Sequence, residues 1–173
     1  FGMYGGYIIL TPAHVNLPPL RVPYAGWIGD YQDIVVMAEE PALLLYFDDY
    51  YMYPEDPTDW PFWMQGSDVP YFWVNLEHQA QKLEIKIFNA ETDKNLGVAY
   101  TETLLPHVSM SGYGYIFPFD GYVMKSGVLT RVPDGLYYAK IKVLKANGDP
   151  AKAADWEKWT SPDFLIDRPG VDD

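Results

Sequence analysis

The sequence predicts an all-β, antiparallel β-sandwich, and three observations carry that expectation. Fifteen prolines and fourteen glycines punctuate short runs rich in Tyr, Val, Ile, Phe and Trp across 173 residues. That is a rhythm of short strands and turns, not of helices alternating with strands. Two stretches, Lys82 to Phe88 and Leu136 to Leu144, alternate apolar and polar residues with the period of a half-buried strand. No segment carries the spacing of an amphipathic helix.

An apolar strand runs from Tyr7 to Leu10, and a second, Val22 to Ile28, follows a turn containing Pro12, Pro18 and Pro19. Both need partner strands, because an isolated hairpin is marginal in water. Residues 1–37 are therefore expected to be the closing strands of a preceding sandwich domain, and the chain to be a piece of a longer polypeptide. Tyr7, Ile9, Val22, Tyr24 and Trp27 are then expected to form an exposed apolar patch.

Residues 38–168 are expected to form the main sandwich. Within it Leu83, Ile85 and Ile87 point one way while Lys82, Glu84 and Lys86 point the other. Tyr137, Ala139, Ile141 and Val143 likewise oppose Tyr138, Lys140 and Lys142, and Pro133-Asp134-Gly135 supplies the turn before them. Asn89 to Asn95 and Asn147-Gly148-Asp149 read as hairpin loops. Trp159 to Ile166 reads as a last strand, and 169–173 as a linker. Alternate rings in Tyr113 to Phe119 describe a strand packed across the sheet.

Composition narrows the function. Twelve basic against twenty-four acidic residues leave a net charge of −12, which argues against nucleic acid, since phosphate binding needs clustered Lys and Arg. Apolar runs such as Ala42 to Phe47 fall far short of the roughly 20 residues of a membrane span. With no cysteine there are no disulfides, thiolate nucleophiles or sulfur-ligated zinc sites. The 49% apolar content is enough for a core held by packing.

Catalytic signatures are sparse. Ser67, Ser109, Ser111, Ser126 and Ser161 sit in no nucleophile elbow, and His14, His78 and His107 are widely separated. These histidines read as surface loop residues without metal-ligand spacing. No cofactor is expected.

The segment 48–68 breaks the strand rhythm and is the longest expected loop; long loops in compact domains are often functional. Its carboxylates Asp48, Asp49, Glu55, Asp56 and Asp59 are calcium candidates, because hard oxygen ligands suit that ion, although the spacing is not that of an EF-hand. The plainer reading is a solvated acidic loop. Interleaved Tyr50, Tyr51, Tyr53, Trp60 and Trp63 are binding candidates. Flat amphipathic rings suit core or interdomain packing, a protein contact or a sugar platform.

Two groups of motifs resemble a known family. Tyr4-Gly-Gly-Tyr-Ile-Ile-Leu and Val22-Pro-Tyr-Ala-Gly-Trp-Ile-Gly-Asp-Tyr are similar to the "Y-S-G-Y-I" and "V-P-Y-x-G-x-x-G-x" strands that follow the catalytic domain of large secreted subtilisin-like serine proteases, among them cell-envelope proteinases, C5a peptidases and Vpr-type and fungal enzymes. Phe117-Pro-Phe-Asp-Gly121, Val132-Pro-Asp-Gly-Leu-Tyr137 and Trp156-Glu-Lys-Trp-Thr-Ser-Pro-Asp-Phe164 resemble the next domain's "F-x-W-D-G", "L-P-x-G-x-Y" and "W-E-x-W-x-S-P-x-F". Phe119 replaces the usual Trp, the 48–68 loop has no counterpart, and the family's catalytic motifs are absent.

The resemblance implies a fibronectin-III/Ig-like fold and a non-catalytic accessory region of a secreted or cell-wall-associated protease. Its partners would be the catalytic and neighbouring domains, together with protein substrate. The rivals are a free-standing carbohydrate- or protein-binding module of adhesin type, and a small sandwich hydrolase built on His78 or His107.

Overall fold

In the computed structural model, residues 2–13, 17–108, 110 and 112–170 are described. His14, Ser109, Ser111 and the 171–173 part of the expected linker lie outside the described residues. The chain divides into two compact units, Phe1–Ile34 and Val35–Asp173.

The first unit is a hairpin of β1 (Gly2–Leu10) and β2 (Leu20–Ile28), each strand longer than its apolar core suggests. Register pairs Tyr4 with Gly26 and Gly6 with Tyr24. Each tyrosine ring lies over the opposite glycine: a Cβ on Gly26 would stand 2.3 Å from the Tyr4 ring, and one on Gly6 would stand 2.9 Å from the Tyr24 hydroxyl. The two rings meet edge to face at 6.4 Å. The glycines of both motifs thus make room for cross-strand tyrosines. Alternation puts Tyr7, Ile9 and Trp27 on one face and Val22 and Tyr24 on the other. The five residues expected to make one patch are therefore split, and Trp27 is half-buried.

The second unit is the all-β, antiparallel sandwich that the sequence predicts. Its larger sheet has the order β10-β9-β7-β6-β11-β12, with β13 also on β11. These strands are β6 (Ala80–Asn89), β7 (Asn95–Leu105), β9 (Tyr122–Lys125), β10 (Val128–Arg131), β11 (Gly135–Lys145), β12 (Trp156–Thr160) and β13 (Phe164–Ile166). The smaller sheet, β4-β3-β5-β8, comprises β3 (Ala42–Phe47), β4 (Tyr50–Met52), β5 (Tyr71–Val74) and β8 (Tyr115–Pro118). Helical structure among the described residues amounts to single 3-10 turns at Tyr31–Asp33 and Ala153–Asp155.

Between the sheets lie Leu43, Leu45, Phe72, Val74 and Phe117 from the smaller and Leu83, Ile85, Ile87, Ala139, Ile141 and Val143 from the larger. Burying such side chains contributes about 1.5–3 kcal/mol each. The alternating strands bury the faces their pattern assigns. β3 does not alternate, because its outward residue Leu44 is also covered, packing with Val69, Tyr71 and Trp73. Tyr115 and Phe117 stack at 6.3 Å and Phe119 is buried, while Tyr113 is exposed.

The expected last strand is broken. β12 and β13 both pair with β11, and Ser161 bridges the gap, its hydroxyl accepting the Ala139 N–H at 2.8 Å and donating to the Pro162 carbonyl at 2.7 Å. At the start of β11 the Tyr137 hydroxyl donates to the Pro133 carbonyl at 2.8 Å, a tyrosine corner of the kind found in Ig-like sandwiches. Beside it the buried Arg168 guanidinium pairs with Asp134.

Candidate functional site

The 48–68 segment is not one long loop. Asp48 and Asp49 have φ of 49° and 67°, and Phe47 pairs with Tyr50 across them. Positive φ at both corners marks the two-residue hairpin turn whose twist suits antiparallel strands. A strand, Tyr50–Met52, follows at once. Further on, Gln65 to Asp68 closes a second turn, with the Asp68 carboxylate accepting the Trp63 N–H at 2.9 Å.

Register then sorts the side chains. Leu45, Phe47 and Met52 share the face that is the core face nearer the sheet centre, whereas Tyr46 and Tyr51 face outward. Tyr51 packs on Tyr46 at 5.0 Å and on Tyr71 at 5.2 Å. Burial raises the pKa of the Tyr71 hydroxyl, with the neighbouring Tyr51 and Tyr46 and the Asp68 carboxylate adding to it. Tyr50 stands 72% exposed.

Past the end of the core the inward face of this hairpin meets Trp60 instead of the second sheet. Phe47 and Trp60 lie 6.0 Å apart, edge to face at 81°, and both are about half exposed. They form part of a cleft of about 570 Å³ with Leu45, Met52, Tyr53, Pro54, Glu55, Asp56 and Asp59. A second cleft of about 300 Å³ shares Phe47, Asp59 and Trp60 and adds Trp63 and Asp68. Both lie in the size range at or above which small-ligand sites begin.

The five aromatic candidates are therefore distributed. Tyr53, Trp60 and Trp63 line clefts, Tyr51 belongs to the outer tyrosine cluster, and Tyr50 joins neither. Phe47, Leu45 and Met52 complete the site and are easy to miss in the sequence, where Ala42 to Phe47 looks like any core strand.

The five calcium candidates divide in the same way. Asp48 and Asp49 occupy the hairpin corner, whereas Glu55, Asp56 and Asp59 line the larger cleft. Asp56 accepts from the Thr58 hydroxyl at 2.6 Å and from its N–H at 2.9 Å, and these bonds lower its pKa. Among the described residues, no group of three or more His, Asp or Glu is arranged to hold a metal ion. None of the described helices is long and apolar enough to cross a membrane.

Charge around the cleft is one-sided. No Lys or Arg occurs between Arg21 and Lys82, a span that includes every residue lining either cleft. Of the histidines, His78 lies between β5 and β6, and His107 is exposed after β7. The Ser161 hydroxyl is committed to its backbone bonds.

A comparison with protein-family models found no match, and a comparison with curated proteins found none either.

Proposed function

We propose that this chain is a non-catalytic accessory region of a secreted or wall-associated subtilisin-like serine protease, whose sandwich supports the catalytic domain and contacts protein substrate. The observation that carries this reading is the hairpin β1–β2. Met3, Tyr7 and Ile9 on one face and Tyr4, Ile8, Leu10, Leu20, Val22, Tyr24 and Ile28 on the other are all exposed. A two-stranded ribbon apolar on both faces is suited to lie between other layers, because neither face gains from water and two strands alone are marginal. The tyrosine–glycine pairs fall within the motifs that resemble the protease family, which adds support from the sequence side.

The test is the intact mass of the natural polypeptide carrying this sequence, taken from secreted and wall fractions of its source with an antibody to the chain. A product several times larger that copurifies with fluorophosphonate-reactive serine protease is the expected result. A product of about the chain's own size would sink the proposal and favour a free-standing binding module, the second reading, for which the cleft of Phe47 and Trp60 speaks.

A further inference from the structure

We propose that the cleft between Phe47, Tyr53 and Trp60 binds an extended peptide segment bearing Lys or Arg beside a bulky aliphatic residue. The inference stands independently of the hairpin reading, since every residue it uses lies within Val35–Asp173.

Shape and charge choose the occupant together. Leu45 and Met52 give the cleft an apolar lining, Phe47, Tyr53 and Trp60 add aromatic walls, and Glu55, Asp56 and Asp59 supply the charge. A volume of about 570 Å³ accommodates one or two side chains with their backbone. All three carboxylates are exposed, and neither Glu55 nor Asp59 has an ion-pair partner among the described residues. Three like charges on one cleft repel one another, and a bound cation relieves that repulsion where a neutral ligand does not.

The ring geometry points the same way. A sugar platform presents coplanar faces to a flat pyranose, whereas Phe47 and Trp60 meet at 81°. That corner suits the methylene stem of a Lys or Arg, with the cationic head near an indole face and within reach of the carboxylates. Peptide recognition of this kind draws affinity from the apolar anchor and specificity from the charge.

The test uses the whole chain and isothermal titration with defined probes. These are the capped hexapeptide Gly-Leu-Lys-Leu-Arg-Gly, its counterpart with Glu at both basic positions, and the oligosaccharides maltohexaose and chitohexaose. The basic peptide is expected to bind, to weaken at high salt, and to lose about tenfold in affinity in the Glu55→Gln/Asp59→Asn variant and in Trp60→Ala. The acidic peptide is expected to give no heat. The double variant replaces exposed groups by neutral isosteres, so it decides the matter even if Trp60→Ala unfolds. Three results would overturn the proposal: no heat from the basic peptide, equal binding by the double variant, or binding of an oligosaccharide in its place.

Discussion

The carboxylate of Glu157 accepts the backbone N–H of Val36 on one oxygen at 2.7 Å, and that of Met37 on the other at 2.8 Å. Glu157 sits on β12 within Trp156-Glu-Lys-Trp159, and Trp159 reaches back to Glu40 at 3.3 Å. The motif is thus a clamp on the segment that leads into β3. Replacing Glu157 by Ala leaves two partly buried donors without acceptors and should cost about 2 kcal/mol in urea unfolding, with Glu157→Gln losing less because one oxygen remains. Equal stability of all three proteins would remove the clamp from the account.

Asp134 is the counterpart at the other end of β11. Its two oxygens take the Arg168 guanidinium and, at 3.0 Å, the Arg168 N–H. Because Arg168 is buried, Asp134→Ala strands a charge and is expected to cost about 3–5 kcal/mol, with Asp134→Asn milder. Gly121 closes the same latch: its φ is 84°, and a Cβ there would stand 2.7 Å from the guanidinium. Gly121→Ala should therefore also destabilise, through strain and displacement of Arg168.

Phe164 is fully buried, with the rings of Phe62, Phe72, Phe119 and Tyr137 all within 6.5 Å of its own. Phe164→Ala empties the point where β13, β5 and the 119 turn meet. A loss of about 3–5 kcal/mol is expected, with Phe164→Leu retaining most of the stability. Calorimetric midpoints of the two variants check this.

Glu84 predicts a pH dependence. Partial burial pushes its pKa up, but the hydrogen bonds and charges of Lys86, at 2.8 Å, and Lys82, at 3.5 Å, outweigh burial and hold it below the ordinary value. A carboxyl depressed in the folded state contributes stability above its unfolded pKa of about 4.3, and that contribution is lost as pH falls through the folded value. Glu84→Gln should flatten the stability profile over that acidic range and leave its neutral limb parallel to wild type.

The hairpin predicts self-association. Unpaired strand edges and two apolar faces favour pairing between copies, so the isolated chain should form dimers or larger species in sedimentation. Val22→Lys with Ile9→Lys places one charge on each face and should shift the distribution toward monomer. A wild-type chain that stays monomeric at high concentration would count against the hairpin as a docking element.

The parts legible in the sequence are those with one wet face. β6 and the middle of β11 show their core residues because Lys82, Lys86, Lys140 and Lys142 mark the solvent side. β3 hides its orientation because Leu44 is covered as well as Leu43 and Leu45. The turn at Asp48-Asp49 is missed because its left-handed corners lack the usual glycine. Aromatic density finds Tyr53 and Trp60, but Phe47 joins the cleft only through register. Glu157 gives no local signal, since its partners lie 121 and 120 positions away.

Phe62 is stitched between the Leu165 carbonyl and the Asp167 N–H, while Glu157 holds Val36. The sandwich is consequently closed by contacts between the first and last thirds of its own length. Such closure must wait for loop entropy to be overcome, which places folding in the millisecond-to-second regime of non-local β topologies. A chain lacking residues 156–168 would therefore be without both closures, and the edge of β11 that pairs with β12 and β13 would be left open.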